Sequence, residues 1–131
     1  MISILGADVV EARNALRAAI ATELTANRFA EVEQLIAAGS YRAAIALAGV
    51  ILEHSLRELA TMQDVPVRER VSINQLADSL HRAGEIDGSL RVTIHDVSQL
   101  RNSAVHALDF KPTLDQARSM LEVVRRIADL V

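Results

Sequence analysis

The stretch that follows Ser40 and runs to about Met62 constrains the fold more than any other part of the chain. Its apolar residues recur every three or four positions, which is the spacing of one buried face of an α-helix. This stripe is the most hydrophobic in the sequence and consists of Ile45, Ala48, Leu52, Leu56 and Leu59. We therefore predict a central helix here, with further helices packed around it.

Helix-start signals recur further along the chain. Ser72 with Gln75, and Thr113 with Gln116, match the capping box, in which two side chains three residues apart bond each other's backbone N–H groups. Ser89 can cap another helix that lies between these two. The chain after the central helix is therefore predicted to be mainly helical as well.

The chain of 131 residues fits a single domain, residues 1–131. Within it we distinguish an N-terminal helical region, residues 1–38, from a motif-bearing bundle, residues 40–131. The N-terminal region is predicted to be helical from near Asp8, either as one long helix or as two helices joined near Asn27. Since no strand pattern occurs elsewhere, we predict an all-α, four- to five-helix up-and-down bundle.

Composition agrees with this fold and limits the partners. Half of the residues are apolar, but only Phe29, Tyr41 and Phe110 are aromatic, so the core consists mainly of Ala, Leu, Ile and Val. The net charge of −3 argues against the broad basic face that binds duplex DNA. The absence of cysteine excludes structural disulfides and thiolate metal sites. We expect neither a metal nor another cofactor.

The longest apolar run, Ala43 to Leu52, is about half of the ~20 residues that a membrane-spanning helix needs. The N-terminus lacks the basic region and the long apolar stretch of a signal peptide. We therefore expect a cytoplasmic protein that does not enter a membrane.

The segment RNSAVH, which contains Arg101, Asn102 and His106, is the part of the chain that most suggests chemistry. On a helical wheel, Asn102 and His106 share a polar stripe with His95, while apolar residues down to Leu108 occupy the core-facing side. Arg101 and His106 are five residues apart, hence about 140° apart around the helix. Their side chains meet only if the helix unwinds, if Arg101 curls round it, or if a second copy pairs here.

Arg101 lies beside the apolar stripe of its helix, so we expect it to be partly buried and to need an acceptor. Glu53, at the edge of the central helix's stripe, is a candidate structural partner. For Arg101 alone, a structural ion pair explains the residue as well as a catalytic role does.

RNSAVH resembles the Arg-x4-His motif of the HEPN superfamily, helical domains named for higher eukaryotes and prokaryotes nucleotide-binding. The stretch GSYRAAIALAGVILEHSLREL is similar to the family's central helix, and the final amphipathic helix after Pro112 is similar to its C-terminal element. The resemblance covers roughly Ser40 to Val131. It implies a metal-independent endoribonuclease, often a toxin or defence effector, that acts on RNA as a homodimer.

The same resemblance implies a role for each residue of the motif. His106 would be the general acid or base at the ribose 2′-hydroxyl or the leaving 5′-oxygen, which suits imidazole because free imidazole titrates near neutrality. Arg101 would stabilise charge in the transition state, and Asn102, with His95 on the same stripe, would position the substrate. The products would carry 2′,3′-cyclic phosphate ends, and no metal would take part.

Toxins of this superfamily that are paired with a nucleotidyltransferase antitoxin usually have Tyr two residues after the His, where this chain has Leu108. The resemblance therefore suggests an antitoxin or neighbouring defence protein as a partner, but does not carry over control by modification of that tyrosine. Two other functions fit the sequence. One is a non-catalytic HEPN-like dimerisation or partner/RNA-binding module, and the other is a helical adaptor that binds no nucleic acid.

Overall fold

The computed structural model describes residues 2–131, except for the side chains of residues 2–8, 10, 14, 18, 21 and 22. The chain forms α1 (Ile2–Ala37), α2 (Tyr41–Met62), α3 (Ile73–Arg82), α4 (Gly88–His106) and α5 (Leu114–Ala128). No strand occurs in this part of the chain. The all-α helical bundle predicted from the periodicity is confirmed.

The helix α2 is the centre of the bundle, because it contacts each of the other four helices. In addition, α3 packs against α4, and α5 packs against both α1 and α4. The apolar stripe predicted on α2 is buried throughout, and the core around it consists almost entirely of aliphatic side chains. Burying one such Leu or Ile side chain stabilises a fold by about 1.5–3 kcal/mol.

Three of the helices begin at a residue whose side chain caps the free backbone N–H groups of the first turn. Ser72 caps α3 and Thr113 caps α5, each with both hydrogen bonds of the predicted capping box. In α4 the N-cap is Asp87, whose carboxylate accepts from the Leu90 N–H at 2.7 Å, so the predicted cap at Ser89 is wrong. A carboxylate has the advantage here because it also interacts favourably with the positive end of the helix dipole.

The first helix is continuous from Ile2 to Ala37, so the chain forms one long helix and does not bend near Asn27. The predicted start near Asp8 is wrong, since the proline-free segment before it continues the helix. The Asp8 side chain itself lies outside the described residues. Although α1 is the longest element, no helix in residues 2–131 combines the length and apolar character that crossing a bilayer requires.

Only the second half of α1 belongs to the core, to which it contributes Phe29, Val32 and Ile36. Upstream of these, the apolar side chains that the structure describes are exposed, namely Val9, Leu16, Ile20 and Leu24. Their helical spacing predicted a helix correctly, but it did not reveal that this half of α1 extends past the bundle.

Candidate functional site

The C-terminal end of α4 is held in place by Arg42 of α2. Its guanidinium donates to the backbone carbonyls of Ala104 and Phe110, and its Nη1 also donates to the Ala107 carbonyl at 3.3 Å. A cation here satisfies carbonyls that a helix end leaves without partners, and it matches the negative end of the helix dipole. No sequence signal identified this role, because the acceptors lie more than sixty residues further along the chain.

The helix α4 stays regular to His106, and the N–H of the C-cap residue Ala107 donates to the Ser103 carbonyl at 3.0 Å. The unwinding that would have brought Arg101 towards His106 therefore does not occur. Leu108 lies beyond the helix and is 92 % exposed. Its predicted place on the core-facing side is wrong, because a helical wheel holds only as far as the helix continues.

Arg101 crosses α2 at Gly49. A Cβ atom at position 49 would lie 2.8 Å from Arg101 Cγ and 3.3 Å from its Nε, so the arginine fits only because this residue is a glycine. Arg101 is half-buried, as the helical wheel predicted. Its Nε is buried without a hydrogen-bond partner, and its Nη1 donates to Asn102 Oδ1 at 3.3 Å.

Glu53 is not the acceptor for Arg101. Its Oε1 lies 3.4 Å from Nη2 of Arg57, which is one turn further along α2. Among the side chains that the structure describes, no ion pair joins Arg101 to a carboxylate. The predicted partnership is wrong because the i, i+4 spacing gives Glu53 a partner on its own helix. Arg101 is therefore a half-buried cation without a matching anion.

Asn102 and His106 are exposed on the polar face of α4. The Asn102 side chain touches the guanidinium of Arg101. The His106 imidazole has no hydrogen bond or ion pair with the described part of the chain. Next to it, Val105 is 40 % exposed and Leu108 is almost fully exposed. The structure thus brings the Arg101 guanidinium to the side chain of Asn102, which lies one turn before His106 on the same polar face of α4.

His95 is engaged with the helix α3. Its Nε2 lies 2.8 Å from Asp78 Oδ1, which also accepts a hydrogen bond from Arg91 Nε at 2.7 Å. The hydrogen bond from Arg91 lowers the pKa of Asp78 below its ordinary value; burial opposes this shift, and the hydrogen bond with His95 adds to it. This cluster ties α3 to α4, which gives His95 a structural partner that the sequence did not reveal.

The surroundings of the α4 end include a shallow depression of about 420 Å³ at the start of α2, lined by Gly39, Ser40, Tyr41, Arg42, Ala43, Lys111 and Pro112. The N-cap Ser40 makes no side-chain capping bond, and Lys111 is exposed. Positive charge thus lies close to the loop that follows His106.

In the described residues, no three His, Cys, Asp or Glu side chains lie close enough to hold a metal ion.

Comparison with known proteins gives one result. A family model described as Domain of unknown function (DUF4145) matches residues 30–131. The matched region begins where α1 joins the core, next to Phe29, and it includes Arg101, Asn102 and His106. No curated protein and no solved structure gave a significant match.

Proposed function

The chain belongs to the DUF4145 family, and we propose that it is a metal-independent endoribonuclease of the HEPN type that acts on RNA as a homodimer. The observation that carries the proposal is the unmatched charge of Arg101, whose buried Nε lacks an acceptor. A half-buried cation without an anion is unfavourable in a stable fold, and an RNA phosphate would supply the missing acceptors. The competing explanation, a structural ion pair, has no carboxylate partner among the described residues.

His106 supplies the second component of the proposed site. In the reaction, an imidazole takes the proton of the ribose 2′-hydroxyl, whose oxygen attacks the adjacent phosphorus. The 5′-oxygen then leaves with a proton, and the product carries a 2′,3′-cyclic phosphate. His106 acts as the general acid or base of these transfers, Arg101 stabilises the added charge on phosphorus, and Asn102 holds the guanidinium or a phosphate oxygen.

A second copy of the chain completes the proposed active site, because Arg101 and His106 lie five positions apart on a regular helix, about 140° around its axis. A second copy packed against the end of α4 brings the His106 of one chain towards the Arg101 of the other. Val105 and Leu108 are exposed at this end, so such a contact has apolar surface to bury. The setting we propose is a toxin or defence system in the cytoplasm, with an antitoxin or neighbouring defence protein as a further partner.

The electrostatics of the chain favour a local contact with RNA. The net charge of −3 argues against a large basic surface, and the cations near the motif are Arg101 in its groove, Lys111 in the following loop and Arg42, which is bonded to backbone carbonyls. Few phosphates would therefore be neutralised, and we expect binding to depend only weakly on salt concentration.

The exposure of Leu108 favours a second function, a non-catalytic HEPN-like module for dimerisation or for binding a partner or RNA. Leu108 is 92 % exposed and Val105 is 40 % exposed beside the polar motif, so a partner or second copy docked here would bury apolar surface. In this function, Arg101 and His106 contact the bound molecule without reacting with it.

Incubation of purified protein with single-stranded RNA in the presence of EDTA tests the proposal. We expect cleavage that leaves 2′,3′-cyclic phosphate ends. Arg101→Ala and His106→Ala should each lower the rate at least about 100-fold while the protein stays folded. Arg91→Ala is the matched control on the same helix, and it should retain cleavage but lose some stability.

Light scattering on the same samples separates the two functions. A dimer that leaves RNA intact under all conditions, and becomes a monomer when Leu108 is replaced by Asp, would support the binding module. A monomer that cleaves RNA at the full rate would contradict the composite active site.

A further inference from the structure

We propose that the cleft between α1, α2 and α5 binds a small organic cation, meaning a molecule with a protonated amine and an apolar body. The cleft has a volume of about 730 Å³, which is within the usual range for small-molecule sites. Its walls come from α1 near Phe29, from α2 between His54 and Met62, and from α5 near Arg125. Neither Arg101 nor His106 lines it, so this site is independent of the proposed nuclease.

Ser55 is the residue that points to a ligand. It is only 4 % exposed and lines the cleft, yet its hydroxyl forms no hydrogen bond with the described residues. Helical hydroxyls often bond the carbonyl one turn back, as Thr61 does with Arg57 at 3.0 Å. Ser55 is not among the residues whose polar atoms are both fully buried and unpaired, so its hydroxyl keeps contact with the space of the cleft and is available to a molecule bound there.

The charged residues that line the cleft indicate that the ligand is a cation. Three carboxylates line it, those of Glu33, Glu58 and Asp129. Glu33 pairs with Arg125, and Glu58 Oε1 lies 3.6 Å from His54 Nε2. Asp129 has no side-chain partner in the described residues. The unpaired carboxylate attracts a cation and repels anions such as phosphate, so the cleft is not an extension of the RNA site.

The apolar side chains that line the cleft indicate that the rest of the ligand is apolar. Met62 lies at its edge with 51 % of its surface exposed, and the ring of Phe29 forms part of a wall. The guanidinium of Arg125 already lies over this ring, with its central carbon 4.9 Å from the ring centroid. Because Arg125 covers this ring, the apolar body of the ligand packs mainly against Met62, and the carboxylate of Asp129 and the hydroxyl of Ser55 are the polar contacts for the amine.

Titration of the full chain with benzylamine, followed by NMR of the backbone amides, tests this proposal. Benzyl alcohol and benzoate are the neutral and anionic probes of the same shape. We expect saturable shifts confined to the cleft, with a Kd of about 1 mM for so small a probe. Benzyl alcohol should bind at least about threefold more weakly, and benzoate should not bind.

Two variants with matched controls complete the test. Ser55→Ala should weaken benzylamine binding about tenfold, and Asp129→Asn about threefold. Ser98→Ala removes another serine that is 4 % exposed but lies outside the cleft, and it should leave binding unchanged. The same holds for Asp115→Asn in the first turn of α5.

The absence of saturable shifts would overturn the proposal. Equal binding of benzoate, or an equal loss of binding in the Ser98 variant, would also overturn it. None of these measurements depends on RNA cleavage, so the failure of either proposal is distinguishable from the failure of the other.

Discussion

The two halves of α4 each carry an arginine and a histidine, but only the pair in the first half is bonded to a carboxylate. In the first half, Arg91 and His95 share the carboxylate of Asp78, at 2.7 and 2.8 Å. In the second half, Arg101 faces Gly49 in place of an acid, and the histidine of the motif faces solvent. An arginine and a histidine thus stabilise the bundle where the neighbouring helix supplies a carboxylate. Where it supplies a glycine, they remain available to a ligand.

A second contrast concerns the two arginines between α2 and α4. Arg42 donates to backbone carbonyls at the end of α4, whereas Arg101 packs its carbon stem on α2 and keeps a donor unused. The contacts of Arg42 stabilise the end of a helix, whereas those of Arg101 fix only the position of its own side chain. Stability and function should therefore respond to these two residues in opposite ways.

Replacing each of these arginines with methionine should give the largest difference in stability. Arg42→Met should lower the free energy of unfolding by about 2–3 kcal/mol, because partly buried carbonyls at the end of α4 lose a charged donor. Arg101→Met keeps the packing on α2 and removes no ion pair, so it should cost less than about 1 kcal/mol. Urea unfolding followed by circular dichroism measures both. Equal losses would show that Arg101 is as much a structural residue as Arg42.

Gly49→Ala should disturb the position of Arg101 without removing it. The new Cβ would displace the arginine stem, and we expect RNA cleavage to fall about tenfold. Stability should change little, since the gain of about 1 kcal/mol in helix propensity offsets the displacement. Gly88→Ala is the control, because a Cβ there meets only His81 Nε2 at an ordinary 3.7 Å. Unchanged cleavage by Gly49→Ala would contradict the proposed role of the Arg101 geometry.

Asp78→Asn should have the smallest effect, about 0.5–1 kcal/mol at neutral pH, since the cluster is partly exposed. The folded chain lowers the pKa of Asp78, so its contribution is complete above the unfolded value of about 3.9 and is lost as the pH falls through the folded value. The stability difference between wild type and variant should therefore shrink in acid. Urea unfolding at several pH values, with Asp96→Asn as an exposed control, checks this; a difference that grows in acid would refute it.

Local signals in the sequence predicted most of the fold. The capping boxes at Ser72 and Thr113 were correct because both partners lie within one helical turn. The partners of Glu53 and Arg42 could not be predicted in the same way, because several acceptors compete and some arrive from distant segments. Leu108 was misplaced because apolar spacing does not specify the residue at which a helix ends.

The candidate site was only partly visible in the sequence. The wheel predicted correctly that Arg101 is partly buried. It could not show that His95 is bonded to Asp78, since that contact needs the relative placement of α3 and α4. Neither could it show the glycine under the arginine, because a missing side chain leaves no periodic signal.

The fit of Arg101 over Gly49 also has a consequence for the evolution of the family. While the arginine is under selection, a side chain at position 49 meets its stem and is disfavoured. Once the arginine is lost, the glycine has no such benefit, and alanine gains about 1 kcal/mol in the middle of a helix. Positions 49 and 101 should therefore vary together among relatives, glycine with arginine and larger residues with its absence.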